Sequence, residues 1–170
     1  MRGSQQVLGL YDPAQVRVVL GLLPPLLVTG WWGEAPIKVT AAGPRWVIRE
    51  GCDGESARFR RRASRATLSL TLAPTSLAND LLTATRLVDD KTGLLTFPLS
   101  IFDGNAHGRT VAWCTRACIP GPPLEVTFEK KATAYTWLIE MFNYEIVIGS
   151  IRRVGNPEEL LIGALSDIVS

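Results

Sequence analysis

The run Thr67-Leu68-Ser69-Leu70-Thr71-Leu72, followed by Pro74-Thr75-Ser76-Leu77-Ala78-Asn79-Asp80-Leu81-Leu82, decides the fold class of this chain. Leucine at every second position puts three apolar side chains on one side of an extended segment and three hydroxyls on the other, the pattern of a half-buried strand. Pro74 cannot donate to a sheet ladder and stops the strand. Thr75 or Ser76 then offers a hydroxyl to an orphan amide of a first helical turn, and Asn79 and Asp80 add polarity at the positive end of the dipole. Leu77, Leu81, Ala84 and Val88 recur at three- to four-residue spacing, which predicts a helix over about 76–88 with that stripe buried. Asp89-Asp90-Lys91-Thr92-Gly93 reads as the helix end and the turn after it.

Working outward, Gly51-Cys52-Asp53-Gly54-Glu55-Ser56-Ala57-Arg58 reads as a tight turn. Upstream, Val16–Leu20 and Leu26–Val28 read as short strands separated by Pro24-Pro25. Residues 37–40 and 45–49 read as a hairpin across Ala42-Gly43-Pro44, with Trp46 and Ile48 on one face. Downstream, Leu95, Phe97, Leu99 and Ile101 alternate on a strand, Asp103-Gly104-Asn105 turns the chain, and residues 110–119 return. Pro120-Gly121-Pro122-Pro123 imposes an extended connection. Residues 135–143 form a late strand, with 145–148 as its neighbour. Asn156-Pro157-Glu158-Glu159 matches a helix start, with an Asn cap and proline at the first position. The expected fold is mainly β: a β-sandwich or barrel with one packed internal helix and a short C-terminal helix. The expected organisation is an N-terminal arm over 1–14, a β domain over 15–150 and a C-terminal extension over 151–170.

Bulk properties narrow the function. The chain has 170 residues, 46% of them apolar, enough for a core without disulfides or a metal. Eighteen basic and sixteen acidic side chains leave a net charge of +2, which does not suit a dedicated nucleic-acid binder. Cys114 and Cys118 stand four residues apart in a strand-like stretch, roughly 13 Å and too far to bridge. An odd count of three cysteines fits a reducing, cytoplasmic setting. The most apolar stretch, 18–28, holds two prolines and falls short of the ~20 residues a membrane helix needs.

Catalytic chemistry finds no purchase. The single histidine, His107, sits in a Gly104-Asn105-Ala106-His107-Gly108 turn with no nucleophile or orienting partner marked, and reads as a loop residue. There is no Gly-x-Ser-x-Gly elbow, and Asp90-Lys91-Thr92 lacks the glycine cradle of a phosphate loop. Cys114, Cys118 and His107 match no zinc spacing and lack a fourth ligand. The expectation is a protein without enzymatic activity, metal or cofactor.

Three other features admit two or more readings. The cluster Arg58, Arg60, Arg61, Arg62 and Arg65 fits intersubunit salt bridges, a strand edge blunted by solvated charge, or a phosphate-backbone contact. Trp31 and Trp32 are adjacent, so on a strand they point to opposite faces. One of them meets a neighbouring subunit, or both belong to a loop over the core edge. Thr67, Ser69 and Thr71 make a small, uncharged face, either simply solvated or lining a channel.

In the order Tyr11-Asp12-Pro13, the Gly51–Arg58 turn, the Leu68–Leu72 strand leading to Pro74-Thr75-Ser76 and Asn79-Asp80-Leu81-Leu82, Phe97-Pro98-Leu99 and the Trp137–Tyr144 strand, the chain resembles the tail-tube structural proteins of contractile-tailed bacteriophages. The resemblance covers residues 11 to 148 and departs from the family pattern at 22–32 and 151–170. It implies a β-barrel-like subunit that self-assembles into hexameric rings, stacked as a hollow tube for genome delivery. The place it implies is the virion tail, assembled in the host cytoplasm. The partners it implies are other copies, a tail sheath, baseplate or tape-measure protein, and DNA passing without specific binding, with no membrane. The inner tube of a related contractile secretion or bacteriocin-like machine is the alternative. A nucleic-acid-binding β-barrel built on the arginine cluster is a third reading.

Overall fold

A computed structural model describes residues 13–22, 24–105, 109–126, 128 and 134–149. After a short 3-10 turn at Pro13–Gln15 come β1 (Val16–Leu20), β2 (Leu26–Val28), β3 (Ile37–Ala41), β4 (Trp46–Glu50), β5 (Ser56–Arg60) and β6 (Arg65–Leu72). The helix α1 (Leu77–Thr92) follows, then β7 (Phe97–Asp103), β8 (Arg109–Cys118), β9 (Glu125–Val126), β10 (Tyr135–Phe142) and β11 (Glu145–Gly149). The fold is mainly β with one internal helix, as the sequence predicts. The expected C-terminal helix lies outside the described residues.

The main sheet is antiparallel and runs β2-β1-β7-β8-β10-β6-β3, with β11 on β8 and β9 on β10. Its alternation is clean where the sequence alternates. Ala66, Leu68, Leu70 and Leu72 of β6 face inward, as do Phe97, Leu99 and Ile101 of β7 and Trp137, Ile139 and Met141 of β10. With Val18, Leu20, Val28, Ala112, Cys114 and Ala117 they make one core on the inner side of a single curled sheet. The sheet does not close into a barrel. β2 is three residues long, and the chain leaving it meets the end of β6 through single backbone contacts, a bridge from Trp31 to Leu72 and the bonds Ala73 N to Gly30 O (2.8 Å), Trp32 N to Thr71 O (3.1 Å) and Thr71 N to Pro36 O (2.8 Å).

Two pairings differ from expectation. Ala42-Gly43-Pro44 is not a hairpin turn. β3 pairs with β6 and β4 with β5, so the chain runs almost straight from 37 to 50 and returns from 56 to 72 as one long two-stranded arm. The reversal sits at 51–55 because local chemistry is stronger there. Gly51 N bonds Glu55 O at 2.7 Å, the Asp53 carboxylate accepts from Glu55 N at 3.2 Å, and Gly54 takes φ 83, a conformation glycine adopts without strain. The other difference concerns β11, which is not a hairpin partner of β10. Both lie antiparallel to β8 in a single register, Glu140 opposite Cys118 and Glu145 opposite Trp113. They are one strand line interrupted at Asn143, whose φ of 53 bends it.

The helix is longer than predicted and turned about its axis. Residues 89–92 belong to its last turn, and Gly93 caps it at φ 65 with its N–H on Asp89 O. The stripe Leu77, Leu81, Ala84 and Val88 is not buried; Leu77 is 67% exposed, and the helix packs instead through Ala78, Asn79 and Leu82. Polar anchors set this rotation. The Ser76 hydroxyl donates to Thr29 O and accepts from Ala78 N at 3.3 Å. The Asn79 amide donates to Ala73 O at 2.8 Å, and its oxygen accepts the Trp137 indole N–H at 3.0 Å. The leucines of β6 already fill the inner face, so the helix side with a small residue at 78 is the side that fits.

Cys114 is buried on the inner face, and Cys118 lies outward beside Glu140, the two separated by the bulge that shifts β8 against β7. Burial pushes the Cys114 thiol up; burial and then the carboxylates of Asp89 and Glu140 do the same for Cys118. Higher pKa means less thiolate, the reactive form. In native protein at pH 8, a thiol reagent is expected to modify exposed Cys52 rapidly, half-buried Cys118 more slowly and buried Cys114 only upon unfolding. Three equally fast thiols would contradict this packing.

Candidate assembly surfaces

The β4–β5 arm with its flanking residues, 45–62, holds four of the five arginines of the cluster. Cross-strand partners share a face, so Trp46 and Ile48 lie with Arg60 and Arg58 on one side, and Val47 and Arg49 with Phe59 and Ala57 on the other. The Arg58 guanidinium stacks over the Trp46 ring, 4.0 Å from its centroid. Every residue of the arm except Val47 is exposed, including Trp46, Phe59 and Ile48 (71%). Over 45–62, six arginines against three carboxylates give +3, in a chain whose total is +2. At the arm's base Arg45 pairs with Glu145 at 2.9 Å. Arg65, already on β6, pairs with Glu140 at 3.5 Å and lies over Phe142. Arg61 and Arg62 are exposed, and the Arg61 N–H continues the arm's ladder to Arg45 O. The five arginines therefore do not form one stripe: Arg58 and Arg60 share a face, Arg61 takes the other, and Arg65 serves the sheet.

The outer face of the sheet divides chemically. On β3, β6 and β10 the rows are Lys38–Ser69–Leu138 and Thr40–Thr67–Glu140, with Thr71 opposite Thr136. The hydroxyls of Thr67, Thr71 and Thr136 bond within the sheet. Thr67 donates to Glu140 at 2.9 Å, and the Thr71 and Thr136 hydroxyls meet at 3.3 Å. Thr67, Ser69 and Thr71 thus lie at the centre of a polar half. On β2, β1, β7, β8 and β11 the rows are Leu27–Val19–Ser100–Trp113–Glu145 and Arg17–Phe102–Val111–Val147. Six of these nine side chains are apolar, and Trp113 is 41% exposed. Sequence reasoning missed this half. Its signal was Val111-Ala112-Trp113-Cys114, apolar on both strand faces, which marks a strand covered on both sides.

The outward stripe of α1 is a third unfilled surface. Leu77, Leu81, Ala84 and Val88 run along it, and beside it Leu22, Pro24, Pro25 and Leu26 form the far wall of a groove of about 460 Å³. Of the two tryptophans, Trp31 packs against the core rim and bridges Leu72, and Trp32 is exposed.

Among the described residues, no group of three or more His, Cys, Asp or Glu side chains is placed to hold a metal, and no helix is long and apolar enough to cross a membrane. His107 lies outside the described residues.

No protein-family model matches the chain, and no curated protein matches it in sequence. Among solved structures it is similar to the tube-terminating cap of the anti-feeding prophage, determined by cryo-electron microscopy. The TM-score is 0.47 and the identity 10%, over 85% of this chain and 95% of that one.

Proposed function

We propose that this chain is a structural subunit of a phage tail tube, working by self-assembly into stacked hexameric rings and carrying no catalytic site. The observation that carries the reading is the division of the sheet's outer face into a hydroxyl-rich half and an apolar half. A wall element of a conduit needs both. A face centred on small hydroxyls, where Glu140 offsets Lys38 and pairs with Arg65, lets a polyanion pass without holding it, whereas a dense basic lining would retain it through released counterions. An apolar sheet face, by contrast, is tolerated only where protein covers it. The order of motifs along residues 11–148 adds the tail-tube resemblance, and with it the six-fold ring, the virion tail as location, and a sheath, baseplate or tape-measure protein as further partners.

The edges support the same reading. The outer side of β3 and of β11 has no strand against it among the described residues. Such edges are a liability in a monomer and a joining surface in an assembly. A head-to-tail contact between unlike surfaces closes into a ring when its rotation allows.

Negative-stain microscopy of the concentrated protein tests the proposal. Rings or tubes made of this polypeptide alone are the expected result, together with its presence in purified particles. A chain that stays monomeric at high concentration and is missing from particles overturns it.

A further inference from the structure

The unfilled helix stripe and the apolar half of the outer sheet face lie on opposite sides of the same layer. α1 reaches the core through Ala78, Leu82 and the Asn79–Trp137 bond, on the inner side of the sheet, the side to which Val18 of β1, Ile101 of β7 and Ala112 of β8 also point. Leu27, Val19, Phe102, Val111, Trp113 and Val147 occupy the other side of those strands and their neighbours β2 and β11. Resting on the self-assembly reading above, we infer that these two surfaces are the halves of one heterologous contact: the Leu77–Val88 stripe of one copy seats on the apolar sheet face of the next.

The dimensions agree. From Leu77 to Val88 the helix advances about 16 Å at ~1.5 Å per residue, and five strands at ~4.8 Å spacing make a face about 19 Å across. A helix stripe against a sheet face is also one of the few layer pairings that bury both.

The flanking charges agree as well. Asp80 and Lys91 are both exposed and, eleven residues apart, lie on one flank of the stripe about 16 Å from each other. On the sheet face the exposed Arg17 and the carboxylate Glu145 stand three strands and two residues apart, about 16 Å by strand spacing. Seated in one direction, the helix brings Asp80 to Arg17 and Lys91 beside Glu145, whose carboxylate Arg45 of the same chain already holds; reversed, it opposes like charges. Charge placement of this kind fixes orientation.

A contact between two unlike faces makes a prediction that self-pairing does not. Leu81→Glu spoils the helix stripe and keeps the sheet face; Trp113→Lys does the reverse. By sedimentation velocity, each variant alone is expected to need at least about tenfold more protein to assemble than the unmodified chain, as loss of a central contact would require. Mixed one to one, each variant retains the half the other needs, so the mixture is expected to form dimers and stop there. Asp80→Lys and Arg17→Glu are each expected to weaken assembly, and the double variant to restore it. That restoration separates lost contact from lost fold if Leu81→Glu or Trp113→Lys also lowers the melting temperature.

Assembly unchanged by Leu81→Glu, a mixture that stays monomeric, or a double charge variant no better than the singles overturns the inference while leaving the tube reading intact. Loss of assembly with Trp113→Lys but not with Leu81→Glu means that sheet faces pair with each other, and also overturns it. If the unmodified chain never assembles, the tube reading itself fails and this contact with it.

Discussion

Replacing Trp137 with alanine is expected to cost about 3–5 kcal/mol, the range for deleting a large buried aromatic. The ring is 2% exposed in the middle of β10, opposite Leu70, and belongs to the core that β6, β7, β8 and α1 share. For a chain of this size the expected drop in melting temperature is about 10–15 °C. Part of that cost is polar. The indole N–H donates to the Asn79 side-chain oxygen at 3.0 Å, and this bond sets which side of α1 faces the core. Asn79→Ala removes the acceptor and leaves a buried donor unmatched, a penalty of about 1–3 kcal/mol. Trp137→Phe removes the donor and keeps most of the ring. Combining the two should cost less than the sum of the singles, since the second change no longer strands a polar group. Thermal unfolding of the four proteins checks this. Strict additivity would mean that the bond is not what orients the helix.

That bond also explains where sequence reading succeeded and where it stopped. Strands whose pattern is local were legible: Leu68, Leu70 and Leu72 announce β6, and Trp137, Ile139 and Met141 announce β10. The cap at Ser76 was legible for the same reason. Which segments pair was not. The partner of β3 is β6, some thirty residues on, because the chain reverses at 51–55 and not at Ala42-Gly43-Pro44. Helix rotation was misread because leucine spacing alone measures apolarity. Asn79 and Ser76 hold the helix by hydrogen bonds to Trp137, Ala73 and Thr29, residues that periodicity does not weigh. The split outer face is less legible still, because it depends on the register of five strands drawn from both ends of the chain. The arginine cluster was visible as a cluster, but its division between two faces of the arm and the main sheet follows from strand pairing.

Excising the arm should separate folding from assembly. Arg61 N bonds Arg45 O at 2.9 Å, so these two positions already face each other across the ladder. Replacing residues 46–60 with Asn-Gly closes that gap with a two-residue hairpin turn of the favoured kind. The buried core includes no side chain from 46–60, so the shortened chain should melt within a few degrees of the original. Its assembly should suffer badly. A two-stranded ribbon is marginal alone in water, and this one exposes Trp46, Ile48 and Phe59 beside a net positive charge, which suits an acidic, partly apolar partner surface. Under the tube reading that surface belongs to another copy, and the concentration needed for rings should rise by at least about tenfold, a loss typical of removing buried aromatic and arginine anchors. Arg58→Glu with Arg60→Glu on the intact arm should act in the same direction by charge alone, and less strongly at high salt, because screening weakens whatever attraction the arginines supplied. Rings that form at the original concentration without the arm would show that it serves no contact between copies. A shortened chain that unfolds would show that the arm braces the sheet, contrary to a core assembled without it.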